Sequence, residues 1–389
     1  MCCPRCRRPS PPSTGAGRAP ISSAGWCSTA FSGGKDSLVQ VGLLDELGGP
    51  PLVVATSLEP GDEFPDFRTP RRRWVMSEIR HRRPMTFVEV LTDLRTIWDN
   101  AYPLSQGYST SVTETSDCHL YLSSLLAVSM AKGATHLFLA SEAEVQENAE
   151  RDGRIIQHPH LMYSNITQRA LSAWLEPAGM SYGSLTWPLH SAQVLQLLWT
   201  RYRDLADLQT SCWMVGPTDP VCNRCSQCLR IALGILAVGG RPERIGIDLV
   251  RLLTETRTWQ PRWPAAPDGL PRDMVSAHLS AGVIRSIRAV RPTRVLASMT
   301  RSGGVRRVVE PATWSALHVY RGRRKHAAAV QVEPARYRPG FLRLVDPLVR
   351  HRLGAILDAH VRPAPDETHA AMVGRADALT AWITAPLRG

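Results

Sequence analysis

The chain has 389 residues, 43 % of them hydrophobic, which supports a packed core and excludes a disordered chain. No apolar run approaches the roughly 18 uncharged residues of a membrane-spanning helix, and no apolar segment follows the basic N-terminus as a secretory leader would require. A cytoplasmic protein with no membrane partner is therefore expected. The formal net charge of +12 is uneven: residues 1–240 hold 21 Lys+Arg and 22 Asp+Glu, while 241–389 hold 25 and 12, leaving +13 on the C-terminal third. That asymmetry suits a polyanion such as tRNA, although the scarcity of lysine (Lys35, Lys132 and Lys325) also fits the arginine-rich usage of a GC-rich genome.

In chain order, residues 1–25 are rich in Pro, Ser, Gly and Arg and read as a disordered tail, which an upstream start-codon choice would equally explain. Its Cys2, Cys3 and Cys6 lack a fourth ligand nearby. Trp26–Phe31 reads as a short strand, followed by a glycine turn and a helix that Gly48-Gly49 closes. PLVVATSL (51–58) and MTFVEVL (85–91) have strand composition, with a helix carrying RRRWVMSEIRHRR between them. LYLSSLLAVSMAKG (120–133) reads as a helix and THLFLAS (135–141) as a strand. This alternation predicts an α/β fold with a doubly wound parallel sheet, whose ligands bind beyond the carboxyl ends of the strands. HSAQVLQLLWTRYRDLADL (190–208) and CLRIALGILAVGG (228–240) read as helices entering and leaving a cysteine-rich turn. Beyond 241 the pattern is helical and proline-interrupted, as in FLRLVDPLVRHRLGAILDAHV (341–361). The expected organisation is a tail (1–25), a nucleotide-binding domain (26–210), a four-cysteine knuckle with its exit helix (211–240) and a basic, mainly helical extension (241–389).

Two motifs carry chemistry. The first is Ser32-Gly33-Gly34-Lys35-Asp36-Ser37, set between a strand and a helix. Glycines allow φ > 0 and close approach, and the following helix N-terminus offers N–H donors and a favourable dipole to a polyphosphate. Ser32 and Ser37 add hydroxyls, Lys35 a positive charge, and Asp36 suits a helix cap or a Mg²⁺ ligand. The spacing is not the G-x-x-x-x-G-K-[ST] loop. The second motif is Cys212, Cys222, Cys225 and Cys228, a C-x9-C-x2-C-x2-C arrangement that lets four thiolates converge on one metal. Zn²⁺ suits such a set, and an iron–sulfur cluster remains open.

Past the fourth predicted strand stand Glu142, Glu144, Asn148, His158 and His160. A carboxylate there could bind Mg²⁺ or deprotonate ammonia, and an imidazole could move protons; a polar surface loop is the plain alternative. His158-x-His160 on an extended segment would also place both rings on one face, as for a second metal. Asp62 and Glu63 follow the second strand in the same way, and Arg71-Arg72-Arg73 form either a solvated helix face or an anion contact.

Residues 32–37 resemble the S-G-G-x-D-S signature of the PP-loop (N-type) ATP pyrophosphatases, an adenine nucleotide alpha hydrolase-like, Rossmann-like superfamily. The resemblance implies that ATP is cleaved between its α- and β-phosphates and that an adenylated substrate is then attacked by a nucleophile. The cysteine spacing, the preceding Ser-Cys-Trp and TWPLHSAQVLQLL (186–198) make the span from about Trp26 to Gly240 similar to the 7-cyano-7-deazaguanine synthase family. That family's activity implies adenylation of a small carboxylate (7-carboxy-7-deazaguanine), attack by ammonia, and a second ATP-dependent step to the nitrile. ATP, Mg²⁺ and Zn²⁺ are the implied cofactors, and a homodimer is an expected assembly. The chain departs from the pattern in places. ASEAEVQEN (140–148) lacks the family's glycine, QHPHLMY (157–163) replaces its Tyr-Pro-Asp-Cys, and Ala192 and Val194 replace a lysine and a glutamate. Lys35 is more typical of PP-loop enzymes that thiolate tRNA, and SLEPGDEFPDF (57–67) faintly resembles a segment of sulfonucleotide reductases. A PP-loop sulfurtransferase and a non-catalytic nucleotide- and zinc-binding protein are therefore the alternative expectations.

Overall fold

A computed structural model of the chain describes residues 26–48, 51–58, 68–92, 112–143, 149–151, 154–156, 165–212, 221–255, 285–303, 309–329, 337, 339–345 and 347–363. The tail at 1–25, Asp62, Glu63, Glu144, Asn148, His158 and His160 lie outside them. Strand β1 (Trp26–Ala30) leads through the glycine turn into α1 (Lys35–Gly48), β2 (Leu52–Leu58), α2 (Arg68–Arg82) and β3 (Thr86–Thr92). Helix α3 (Val112–Lys132) then crosses to β4 (Ala134–Phe138). A separate antiparallel pair, β5 (Ala149–Arg151) and β6 (Arg154–Ile156), precedes α4 (Asn165–Leu175) and β7 (Ser181–Gly183).

Strands β3-β2-β1-β4-β7 form one sheet, and every pairing in it is parallel. The chain runs outward from β1 through β2 to β3, then returns to place β4 on the other side of β1. The order reverses between β1 and β4, where the loops after both strands open a crevice.

Alternation along β2 shows why the sheet is covered on both faces. Val53 and Ala55 join a core with α1 and α2, while Leu52 and Val54 join a second core with Leu122 and Leu125 of α3 and Leu175 at the end of α4. The buried apolar run Leu52–Ala55 thus serves two layers at once.

The expected strand 135–141 ends sooner, at Phe138. Beyond it Ser141 bonds through both backbone groups to the Ser184 hydroxyl rather than to a neighbouring strand (Ser141 N–H to Oγ 3.0 Å, Oγ–H to Ser141 O 2.9 Å). The expected helix 190–208 is two helices, α5 (Ser191–Thr200) and α6 (Arg203–Ala206). At the break Arg201 pairs with Glu46 of α1, and the Tyr202 hydroxyl donates to Glu46 (3.0 Å). The Tyr202 ring lies against Gly42, where an added Cβ would stand 2.8 Å from the ring.

The C-terminal third continues with α7 (Ser226–Ala237), α8 (Leu249–Glu255), α9 (Pro292–Gly303), α10 (Pro311–Ala329) and α11 (Pro347–His360). Their buried residues, including Leu252, Val295, Leu317, Tyr320 and Leu353, belong to the same core as α1. The Arg352 guanidinium of α11 donates to the Glu46 carbonyl (3.1 Å) and caps the end of α1. The proline-interrupted helical stretch expected at 341–361 is a 3₁₀ turn (Pro339–Leu344) followed, from Pro347, by α11. Among the described residues, no helix is long and apolar enough to cross a membrane.

Gly42 is where sequence, packing and stability meet most simply. Gly42→Val is expected to displace the Tyr202 ring and lower stability by roughly 1–3 kcal/mol in urea unfolding. An unchanged midpoint would count against this α1–Tyr202 contact.

Candidate functional site

The glycine turn leaves β1 at its carboxyl end and enters α1 directly. Gly33 has φ +78°, a conformation costly for any residue with a Cβ, and this lets the chain reverse into the helix. The first α1 helical bond is Leu38 N–H to Gly34 O (3.1 Å), so the N–H groups of Lys35, Asp36 and Ser37 precede the i−4 ladder. The Ser37 hydroxyl donates to Gly34 O (3.0 Å), and the Ser32 hydroxyl lies 3.4 Å from that of Ser37. Ser32 itself is exposed. The turn is thus a partly open cradle with two hydroxyls and a helix N-terminus behind it.

Two supports hold it. Thr210 N–H donates to Gly33 O (2.8 Å), fastening the turn to the segment that leads to Cys212. Gln40, fully buried one turn into α1, donates to the Thr29 hydroxyl (2.8 Å) and accepts from Leu185 N–H (3.1 Å). It ties α1, β1 and the segment after β7 together.

The structure brings Lys35, Asp36 and Glu142 into contact. The Lys35 ammonium is 3 % exposed and donates to Asp36 Oδ1 (2.7 Å) and to Glu142 Oε2 (2.6 Å). Glu142 comes from the other side of the switch point, 107 residues later. Its position is set by its neighbours: Ser141 by Ser184 and Thr186, whose hydroxyl donates to Ser141 O (2.8 Å), and Ala143 by its N–H to Leu189 O (2.7 Å). The ammonium is therefore directed to two carboxylates beneath the turn. Burial alone would depress its pKa; Asp36 and then Glu142 outweigh that, with Arg230 opposing them, and it ends above its ordinary 10.5.

The arginine run divides. Arg72 is buried and donates to Thr56 O and to Ser57 Oγ (3.4 Å) at the carboxyl end of β2, and Arg73 pairs with Glu89 (2.9 Å). Arg71 stacks on Trp74 and reaches the Thr210 hydroxyl (3.4 Å), beside the turn. Of the three, only Arg71 has the position for an anion contact at the crevice.

Behind Thr210 the four cysteines converge, their sulfurs all within 4.8 Å of one another. Cys225–Cys228 and Cys222–Cys228 are separated by 3.4 and 3.8 Å. A tetrahedron built on Zn–S bonds of ~2.3 Å has edges of about 3.8 Å, so the spacing fits a four-thiolate metal site. Cys225 caps α7, accepting from Cys228 N–H (3.4 Å). Asn223 at φ +53° makes the sharp turn between Cys222 and Cys225 and bonds to Gly246 O and Asp248 N–H, anchoring the knuckle to the next segment. Contact with the Cys212 sulfur, then burial, pushes the Cys225 thiol up to about 12, and its sulfur neighbours and burial push Cys228 up as well. Four neighbouring thiols can all ionise only if a cation compensates them.

No family model matches this chain, and no curated protein matches it. The site therefore stands on its geometry. Of the residues expected in it, Ser32, Gly33, Gly34, Lys35, Asp36, Ser37 and Glu142 meet at the crevice, and Cys212, Cys222, Cys225 and Cys228 meet behind it. His158 and His160 lie outside the described residues. Thr210, Gln40, Ser184 and Arg230 were not legible as site residues. Three of them act through long-range hydrogen bonds, and Arg230, two residues after Cys228, acts by its charge.

Elemental analysis of the purified chain is expected to find roughly one zinc per molecule, lost with a fall in thermal midpoint in Cys225→Ser, Cys228→Ser. Iron would make it a cluster instead, and absence of any metal would remove the assignment. A second expectation concerns Lys35. A raised folded pKa contributes stability fully below the unfolded value, near 10.5, and loses it as pH climbs through the folded one. Lys35→Met should cost on the order of 3 kcal/mol at neutral pH, with the gap to wild type closing in alkali above that value. A gap independent of pH would contradict the ion-pair geometry.

Proposed function

We propose that the chain is an ATP-dependent, AMP-forming ligase of the PP-loop type, with an adenine nucleotide alpha hydrolase-like fold, that activates a small carboxylate for attack by ammonia. Its motifs resemble those of 7-cyano-7-deazaguanine synthase. One observation carries the reading: the Ser32–Ser37 turn stands on a helix N-terminus at the sheet's switch point, and Glu142 reaches its lysine from across the crevice.

The residues fit the groups involved. Ser32, Ser37 and the first-turn N–H groups of α1 would take phosphate oxygens of ATP, as donors that cost no reorganisation. Asp36 and Glu142 share one ammonium, so the trio carries a net negative charge and would accept Mg²⁺ from the solvent side. Bound there, the metal would neutralise phosphate charge. A carboxylate oxygen of the substrate attacks the α-phosphorus, the bond to the bridging oxygen breaks, and pyrophosphate departs from the cradle. Ammonia then attacks the acyl carbon, AMP leaves, and the nitrogen loses a proton. The Glu142 carboxylate, at the same ammonium as Asp36, would take that proton, and Arg71 would steady an anionic group at the rim. Zinc in the four-thiolate site would keep Thr210 against Gly33, a structural rather than a reacting part.

A sulfur-transfer route through a protein thiol would need one beside the cradle. Among the cysteines whose side chains are described, Cys27 is at the amino end of β1, about 13 Å of strand from the turn, and Cys212 belongs to the thiolate cluster, which favours nitrogen over sulfur as the nucleophile.

The test is pyrophosphate release from ATP with 7-carboxy-7-deazaguanine and a panel of small carboxylates, with and without ammonia. Release is expected with ammonia, reduced at least ~100-fold in Ser32→Ala, Asp36→Ala. Turnover only with a sulfide donor would replace the ligase by a sulfurtransferase. ATP binding without release from any carboxylate would make the protein non-catalytic.

A further inference from the structure

Helix α10 carries a face that the proposed ligase chemistry does not use. Its core side is Thr313, Ala316, Leu317 and Tyr320, all fully or almost fully buried. At 100° per residue, Trp314, His318, Arg321 and Lys325 fall on an adjoining stripe within about 60° of one another. All four are exposed, and Trp314 is among the few large apolar side chains so placed, at 47 %.

Beside that stripe runs a groove of about 480 Å³ lined by Arg288, Pro292, Arg321, Arg324 and Lys325. Among the described residues, no carboxylate lines it. Across residues 285–329 the sequence has 11 Arg and Lys and a single acidic residue, Glu310. Four of those cations, Arg288, Arg321, Arg324 and Lys325, line one groove, and the exposed Trp314 stands two helical turns from Arg321 on the same helix.

We propose that this face is a binding site for single-stranded nucleic acid, with phosphates in the basic groove and a base stacked on Trp314. Three features select that occupant. Guanidinium forks match phosphate oxygens, and a groove of this size admits about one nucleotide. A base offers the flat apolar partner that an exposed indole between cations suits. A membrane surface would require an apolar stripe, whereas this face has one aromatic residue among charges. The site lies on helices remote in sequence from the ATP cradle and does not depend on its chemistry.

Fluorescence anisotropy on the full chain tests it, with labelled single-stranded RNA and DNA of about 20 nucleotides, the matching duplex and phosphatidylserine vesicles as probes. Single strands are expected to bind more tightly than duplex. The RNA and DNA arms decide which strand is preferred. Arg321→Gln, Lys325→Gln should weaken binding and lower the slope of log affinity on log salt by about 1.4, two phosphate contacts at ~0.7 each. Trp314→Ala should weaken it on the order of tenfold with the salt slope unchanged, the signature of stacking rather than charge. All three residues are exposed, so circular dichroism and pyrophosphate release should match wild type. Unchanged affinity in both variants would overturn the proposal. So would vesicle binding that exceeds binding to single strands, or duplex binding as tight as single-strand binding.

Discussion

A buried ammonium cannot stand alone in a protein interior, and that constraint organises the crevice of this molecule. Lys35 Nζ is shared by Asp36, its own neighbour in sequence, and Glu142, which arrives from the far side of the switch point. The pairing needs β1 and β4 side by side, and hence the strand order that sends the chain back across β1. It also needs Ser184 and Thr186 to hold Ser141, because a loop free to move could not offer a carboxylate at a fixed 2.6 Å. Isolated, any of these charges would cost several kilocalories per mole to bury; together they form a compact, net negative floor beneath a turn built of N–H and O–H donors.

The thiolate cluster is linked to that floor by very little chain. Thr210 bonds to Gly33, and two residues later Cys212 enters the four-sulfur site. The four-cysteine cluster therefore works as a buttress. It closes the approach to the turn from behind, caps α7 through Cys225, and through Asn223 is joined to the segment that starts the C-terminal helices. Those helices share the core of the α/β layers, so the extension braces α1 as well as offering the basic face of α10.

Much of this was legible in the chain. The alternation of β-branched runs with helical stretches identifies the parallel sheet, because a strand buried on both faces must be apolar throughout and its crossover must be helical. Ser32–Ser37 and the four cysteines are local patterns, whose residue types and spacing already state their chemistry. Element ends were less legible. THLFLAS reads as strand to residue 141, yet the sheet stops at Phe138, because the Ser184 side chain takes over the backbone groups of Ser141. One helix was expected at 190–208, and Arg201 and Tyr202 divide it by turning toward Glu46 and Gly42.

By itself, then, the sequence determined the α/β layering, the glycine cradle on a helix N-terminus and the four converging thiols, since each rests on periodicity or short spacing. Only the tertiary structure decided that Lys35 turns inward to Glu142, that Arg71 rather than Arg72 or Arg73 reaches the crevice, that Thr210 joins cradle to cluster, and that cations of two C-terminal segments line one groove. These are contacts between residues tens to more than a hundred positions apart. Strand order and helix packing select them, and no local pattern of residues encodes which partner a buried charge or an exposed ring will meet.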